Sequence, residues 1–544
     1  MTREEYASIL LPNCKHTRKY YEEKYQKRNL KEGAMVTRIG PSPTGFVHVG
    51  TLYQSMIATY LARQSEGVSF VRIEDTDSKR EIQNGKEVIL KAVKDYEMPF
   101  TEGAGIGGEY GPYVQSERVD IYQAFVKDMI IRDYAYPSFI TEEELAKLSE
   151  TQAKLKGRIG YYGAWSAKER ALSMEEVVQK VKNKEPYTIR LKSHGDFDNK
   201  VFIIDKIKGK VEFPENDIDH VILKSDGVPT YHLAHAIDDT LMGTTVVSRG
   251  EEWLSSVPFH LELFKALNFK QIDYAHTATI QKEENGIRRK LSKRKDPEAD
   301  VEHYTKSGIP KQAVKIYLLT LINSNFEEWF IENPDKPIEE FKVEFSKMST
   351  SGALYDMEKL LNIARNYLSK LSAKEIYENL LTWAKVYDED FARILEDNKD
   401  IAIATLNIER ETPKPRKDFA MYSEIKDLIW YMFDELYKPT SYEWGNITDK
   451  EEIKNILNIY IDKYYDEKDS QEEWFNKVKE LCDELGYASN MKDYKKNPDA
   501  FKGNVADVST VIRVAITSKS KTPNLYDILQ ILGTSKIKER ISML

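Results

Sequence analysis

Val36-Thr37-Arg38-Ile39-Gly40-Pro41-Ser42-Pro43-Thr44-Gly45-Phe46-Val47-His48-Val49-Gly50-Thr51 is the stretch on which the fold turns. A β-branched entry runs into a turn-rich segment broken by Pro41, Pro43, Gly45 and Gly50, and a periodic run from Leu52 to Leu61 follows. That order predicts a strand, a tight loop and a helix N-terminus. Such a loop can cradle a phosphate, because glycine lets the backbone approach a ligand and the free N–H groups of a helix start attract an anion. Gly45 and Gly50 are spaced for that, with His48 between them as a donor. An ordinary βα loop with a surface histidine reads the same way, so the loop alone does not decide the chemistry.

A chain of 544 residues is too long for one core and implies several structural units of about 100–200 residues each. The formal net charge of −9 excludes a uniformly basic surface, so a nucleic-acid partner has to be met by local basic patches. Cys14 and Cys482 are the only cysteines and stand far apart, which argues against a disulfide framework and a cysteine zinc site and fits a reducing compartment. No signal pattern opens the chain, and no run approaches the roughly 20 apolar residues of a membrane span. A soluble, cytoplasmic protein without membrane association is expected.

Residues 1–35 are polar, with a short helix expected around Tyr20–Tyr25 that braces the core. Gly67–Ile73 reads as a second buried parallel strand, and Glu74, Asp75 and Asp77 follow at the end where open α/β sheets bind ligands. A helix starting near Lys79 would come next. Arg288-Arg289-Lys290-Leu291-Ser292-Lys293-Arg294-Lys295 is the densest basic run. Val301–Trp329 reads as strongly helical, and amphipathic spacing recurs over Ile425–Leu436, Glu451–Tyr465, Glu472–Leu485 and Asn524–Leu532, with no alternating strand series from about 370 onward.

His48-Val49-Gly50-Thr51 resembles the HIGH-type signature of class I aminoacyl-tRNA synthetases, and Arg38–Gly45 is similar to the form found in glutamyl- and glutaminyl-tRNA synthetases. Lys290-Leu291-Ser292-Lys293-Arg294 resembles the KMSKS-type loop that follows downstream in that family. The helical end points to the bacterial-type glutamyl-tRNA synthetases, since glutaminyl enzymes end in β-barrels. The resemblance implies an α/β Rossmann-type catalytic domain, an inserted α+β acceptor-binding domain and an all-α anticodon-binding region. Its segments would be an extension at 1–35, Rossmann halves at 36–118 and 226–285, the insertion at 119–225, a loop and stem-contact domain at 286–369, and the helical end at 370–544. Within the insertion, helices are expected near 119–133 and 166–183 and strands near 187–192 and 201–213. Relatives with a cysteine zinc site carry it near Tyr136–Thr141, where this chain has no cysteine, so no zinc is expected.

The resemblance also assigns roles. Thr44, Gly45, His48, Gly50, Glu252, Lys290, Ser292 and Lys293 would bind ATP with its Mg²⁺, and His48, Lys290 and Lys293 would serve catalysis by stabilising the phosphates. Arg38, Ser42, Glu74, Tyr231, His235 and Arg249 would bind L-glutamate, Glu74 facing the α-amino group. His235 departs from the asparagine many relatives carry there. Two arginines around one small pocket imply an anionic guest, which selects glutamate over glutamine. Arg416, Lys417 and Arg513 are basic spots for the anticodon loop. The expected activity is a glutamate–tRNA ligase charging tRNA(Glu), with tRNA(Gln) left open, in a chain expected to be a monomer. The rival readings are a catalytically idle tRNA-binding paralogue and a tRNA-modifying paralogue, the latter lacking a helical end.

Overall fold

The computed structural model describes residues 1–77, 81–292 and 294–544. It divides into two compact units, one of residues 1–303 with 315–356, the other of 304–314 with 357–544.

In the first unit the β-branched segments form the floor. Strand β1 (Val36–Ile39) pairs in parallel with β2 (Val68–Val71), in register from Val36 on Val68 to Ile39 on Val71. The short β3 (Glu102–Gly103) continues the sheet from Phe70 and Val71. Further along the chain, β4 (Val246–Gly250) and β5 (Asp273–Thr277) make a second parallel pair. Thr245 joins the halves: its N–H donates to Val36 O, and its hydroxyl accepts from Val36 N–H, each at 2.9 Å. The strands therefore lie in the order β3, β2, β1, β4, β5, and the order reverses between β1 and β4. Ligands of open α/β sheets bind outside the carboxyl ends of the strands at such a reversal.

The crossover after β1 is the helix Val49–Gln64, longer at both ends than the periodic run Leu52–Leu61 because nearly every side of it is buried. The helix expected near Lys79 begins instead at Gly85, and Lys79 itself lies outside the described residues. At Gly85 a Cβ would stand 2.7 Å from Pro43 O, so only glycine lets this helix start against the signature loop.

Between the halves, the helix Val119–Ile131 leads to an antiparallel trio, Ala135–Ser138, Thr188–Leu191 and Val221–Leu223. Two expectations change here. The single helix over 166–183 is a short turn, Ala167–Arg170, and a separate helix, Met174–Lys182, because Ser173 and Glu176 close a capping box and restart it. The single run 201–213 is a hairpin of Lys200–Asp205 and Gly209–Pro214, its turn held by Asp205, which accepts from Ile207 N–H and Lys208 N–H at 2.9 Å each. A helix over Glu142–Lys154, capped by Thr141 and Glu144, was not expected.

The opening residues form two helices, Arg3–Leu10 and Arg18–Lys24, and then brace the sheet. Arg28 forks onto both oxygens of Glu102 at 2.8 Å and donates through Nε to Met242 O at 2.7 Å. Arg18 pairs with Asp128 at 2.9 Å, and Tyr187 OH donates to Leu10 O at 2.7 Å.

In the second unit Leu380, Phe391, Leu406, Ile425, Ile456, Leu481 and Ile512 belong to one buried cluster. Among its described residues there are helices and one isolated bridge, Ala488 with Asn504, and no strand. The run 301–329 is broken into Val301–Ser307, Lys311–Ile322 and Phe326–Glu332, the first break falling at Gly308 (φ 77°), just ahead of Pro310. The last helix, Leu525–Ser542, is broken at Gly533 (φ 75°).

Candidate active site

The signature loop ends in a histidine cap. His48 is the N-cap of Val49–Gln64, and its Nδ1 accepts from Gly50 N–H at 2.9 Å. That fixes Nδ1 as the bare nitrogen and leaves Nε2 as the hydrogen-bearing one. A Cβ on Gly50 would stand 2.9 Å from that Nδ1 and push the imidazole away. Gly45 takes φ 146° with nothing within 4 Å of its missing Cβ, an open backbone of the kind a phosphate can approach. Thr44 N–H donates to Ser42 O at 2.8 Å and tightens the loop. Ser42 is exposed, and its hydroxyl has no partner among the described residues.

The basic run returns to this loop as a hairpin. Ile280–Glu284 pairs antiparallel with Ile287–Lys290 across an Asn285-Gly286 turn, both central residues at positive φ (53° and 77°), the twist-matched turn for two-residue hairpins. Lys290 Nζ stands 3.2 Å from Glu252 Oε1, both side chains about half exposed, at 57% and 49%. Arg289 forks onto Asp296 at 2.7 and 2.8 Å, and Ser292 N–H donates to the same carboxylate at 2.8 Å. Those bonds hold Asp296 well below the usual carboxylate range. Arg289 is thus an internal strut. Beyond it, Val301 N–H donates to Val47 O at 3.0 Å, and Asp300 bridges His48, so the run is anchored beside the glycine loop. Lys293 lies outside the described residues.

At the sheet reversal lies a buried charge network. Arg38, at the end of β1, donates to Asp239 through Nε at 3.2 Å and Nη2 at 3.0 Å. Arg72 meets Asp239 and Glu74 at 2.8 and 2.9 Å, and Arg118 meets Asp238 at 2.7 Å. Three guanidiniums thus face three carboxylates. Arg38 is neutralised internally, which corrects its reading as an open cationic pole; its Nη1 alone makes no hydrogen bond among the described residues. Glu74 is tied to Arg72, and a Cβ on Gly40 would stand 2.1 Å from its Oε1. Burial raises the Glu74 pKa, and Arg72 and Arg38 work against that rise.

His235 is fully buried, with Nδ1 2.5 Å from Asp239 Oδ2 and Nε2 3.0 Å from Tyr274 OH. Burial lowers its pKa to about 3, so the ring is neutral; Nδ1–H donates to Asp239, and Nε2 accepts from Tyr274. The 3.3 Å approach of Arg38 Nη2 to Nδ1 is then a meeting of two donors, and Asp239 does the binding. Tyr231 stacks on His235 (ring centroids 5.8 Å apart) and packs at a tilt against Trp253 (4.2 Å).

Arg249, on β4, is only 4% exposed, lies over the Tyr274 ring with its Cζ 4.5 Å from the centroid, and has no carboxylate in ion-pair reach among the described residues. Its acceptors are uncharged: His276 Nε2 at 3.0 Å, His260 Nδ1 at 3.2 Å and, at 3.5 Å, Tyr231 OH. Burial drives His260 well below the histidine range and His232 beside it to about 4. A buried cation among neutral acceptors is a site for an anion.

A family model described as the class I tRNA synthetases (E and Q), catalytic domain, matches residues 34–362, and an anticodon binding domain model matches 375–544. Similar curated proteins are the glutamate–tRNA ligases of Clostridium beijerinckii, 46% identical over 99% of both chains, and of Acetivibrio thermocellus, 46% identical over 100% of both. The chain belongs to the glutamate–tRNA ligase family. Its fold is similar to a solved glutamate tRNA ligase from Elizabethkingia meningosepticum in complex with its amino acid, with a TM-score of 0.75, 25% identity, and 94% of this chain and 99% of that chain covered.

In this member of the family the structure brings Arg38, Glu74, Tyr231, His235 and Arg249 into one network, and Lys290 beside Glu252. Ser42, expected in the glutamate site, is exposed and outside that network. Sequence reading missed Asp239, His260, His276 and Tyr274, which carry no local motif. The Asn-Gly turn at 285–286 was a readable hairpin signal. In the helical end, Arg513 Nη1 donates to Pro523 O at 2.9 Å and lines a cavity of about 620 Å³ with Gln471, Trp474, Phe475 and Asn524. Lys417 donates to Asn366 at 2.7 Å, and Arg416 stands 3.0 Å from Asp418. Among the described residues no group of three or more His, Cys, Asp and Glu is placed to hold a metal ion.

Proposed function

We propose that the protein activates L-glutamate with ATP to glutamyl-adenylate and transfers the glutamyl group to the 3′ end of tRNA(Glu), with tRNA(Gln) as a second acceptor to be tested. One observation carries the choice of amino acid: Arg249 is buried without a carboxylate partner among the described residues, so its counter-charge arrives with the substrate. The glutamate side-chain carboxylate pairs with Arg249 and with Nη1 of Arg38, and Glu74 takes the α-ammonium. Glutamine offers a neutral amide and leaves Arg249 uncompensated.

The substrate's α-carboxylate is itself the nucleophile at the α-phosphate of ATP, so no protein nucleophile is needed. Catalysis is alignment plus electrostatic stabilisation. The backbone from Thr44 to Gly50 and His48 Nε2–H hold ATP; Lys290 and Lys293 face the departing pyrophosphate; Mg²⁺ enters with ATP as part of that substrate. Glu252, 3.2 Å from Lys290, holds that lysine until the nucleotide arrives. The insertion serves the acceptor end. In the helical end, the cavity lined by Arg513, Trp474 and Phe475 offers a cation and aromatic faces to an unstacked anticodon base.

Glutamate-dependent exchange of pyrophosphate into ATP, run with and without tRNA, followed by charging of purified tRNA(Glu) and tRNA(Gln), tests the reading. Exchange and charging with glutamate, and none with glutamine, are expected. Absence of both with intact tRNA would establish the idle paralogue instead.

A further inference from the structure

We propose that His276, backed by Asp205, is a positioning residue for amino-acid selection: it holds Arg249 from behind through an uncharged nitrogen, fixing the guanidinium without cancelling its charge. The proposal rests on the reading of Arg249 as the residue that receives the substrate's carboxylate.

The geometry fixes the proton positions. His276 and Asp205 have fully buried side chains, and His276 Nδ1 lies 2.6 Å from Asp205 Oδ2. The same carboxylate accepts from His276 N–H at 3.0 Å and from the turn amides of Ile207 and Lys208 at 2.9 Å. An ionised carboxylate only accepts, so the hydrogen sits on Nδ1, and a neutral imidazole then offers Nε2 as a lone pair. Arg249 Nε donates to that lone pair at 3.0 Å. On the other side, His260 Nδ1 accepts from Arg249 Nη2 at 3.2 Å, and His260 Nε2–H donates to His232 Nδ1 at 2.8 Å. Two neutral acceptors thus clamp one guanidinium.

A carboxylate in the place of His276 would hold Arg249 as firmly and would also neutralise it, as Asp239 does Arg38. An intervening imidazole keeps Asp205 one ring away, which separates orientation from charge compensation. Asp205 also ends the first strand of the inserted hairpin, and the next residue, Lys206, donates its N–H to Tyr274 O at 2.8 Å. The hairpin is therefore part of the wall that aims Arg249, and displacing it would be felt at the amino-acid pocket.

The test compares His276→Phe, His276→Gln, His276→Glu and Asp205→Asn with Arg249→Ala in the full-length protein, measuring KM for glutamate and for ATP and kcat in tRNA charging. Losing the bond to the charged Arg249 in His276→Phe is expected to raise the glutamate KM about tenfold or more, with the ATP KM within about threefold. His276→Gln, whose amide both donates and accepts, is expected to recover most of the loss. His276→Glu, which pairs with Arg249 directly, is expected to exceed the Phe variant, and Asp205→Asn to fall between Gln and Phe. Unchanged glutamate KM in the Phe variant, or equal losses for both substrates in all His276 variants, overturns the proposal while an impaired Arg249→Ala leaves the pocket reading standing. An unimpaired Arg249→Ala overturns both. If the Phe variant fails to fold, the contrast of Gln with Glu decides: a glutamate KM no higher in Glu than in Gln overturns the proposal.

Discussion

At Arg38 the counter-charge is built into the protein as Asp239, whereas Arg249 has no carboxylate in ion-pair reach among the described residues, and on the proposed reading the ligand brings its counter-charge. Removing Arg249 therefore removes a substrate contact: Arg249→Ala is expected to raise the glutamate KM about a hundredfold, on the scale of two charge-assisted hydrogen bonds, and to leave the ATP KM nearly unchanged. Arg249→Lys should recover little, because an ammonium cannot bond His276, His260 and the substrate together in a fixed fork. Gly40→Ala tests the other end of the substrate, since its Cβ would stand 2.1 Å from Glu74 Oε1. Glutamate activation should fall steeply, read by pyrophosphate exchange. The buried histidines set a pH dependence of stability. His220 and His232 are lowered to about 4 and His235 to about 3 by burial, from 6.5. Below pH 6.5 the unfolded chain binds protons that the folded one refuses, so stability falls from there down to the folded pKa values, by up to about 1.4 kcal/mol per pH unit for each histidine. Urea midpoints measured from pH 7.5 to pH 5 should decline, and a flat profile would contradict the neutral-ring assignment. Tyr231 and Arg249 were picked out in the sequence because they sit in motifs, and so was Arg38, though its pairing with Asp239 was not. Asp239 and His276 were not, because they acquire their roles only when the chain brings together positions 201 and 27 residues apart.

Elements show the same division between local and distant causes. The helix Val49–Gln64 starts where its cap is, and that cap is the residue assigned to ATP. His48→Asn should keep the cap, since asparagine is among the best residues at that position, while removing the imidazole N–H; His48→Ala should lose both, costing about 1 kcal/mol of stability in addition. Equal pyrophosphate-exchange activity in Asn and wild type would remove His48 from the nucleotide site. Helix Gln471–Leu485 matched its sequence reading almost to the residue, since an amphipathic face and a Ser470–Glu473 capping box agree. The run 301–329 read as strongly helical and is so, but in three pieces, the first break falling at Gly308 and Pro310. The Asn285-Gly286 turn was overlooked because the basic residues after it drew the reading toward a loop.

On the scale of the whole molecule, a net charge of −9 means that the tRNA is met locally, by clusters of lysine and arginine, against a repelling background. The KM for tRNA should therefore rise at least about tenfold between 50 and 200 mM KCl while the glutamate KM, set in a buried pocket, changes little. The class of fold was legible from one loop and one basic run, and the all-α character of residues beyond 370 from periodicity alone. The opening segment was legible only as a brace. What it braces could not be read, since Arg28 clasps Glu102 and Met242 O, and Arg18 clasps Asp128. Those anchor points leave the ribosome well after the residues that seize them. At about 5–20 residues per second, Arg28 waits on the order of ten seconds or more for Met242 to be made. The first part of the chain to be born thus takes its seat only after the parts that hold it have followed.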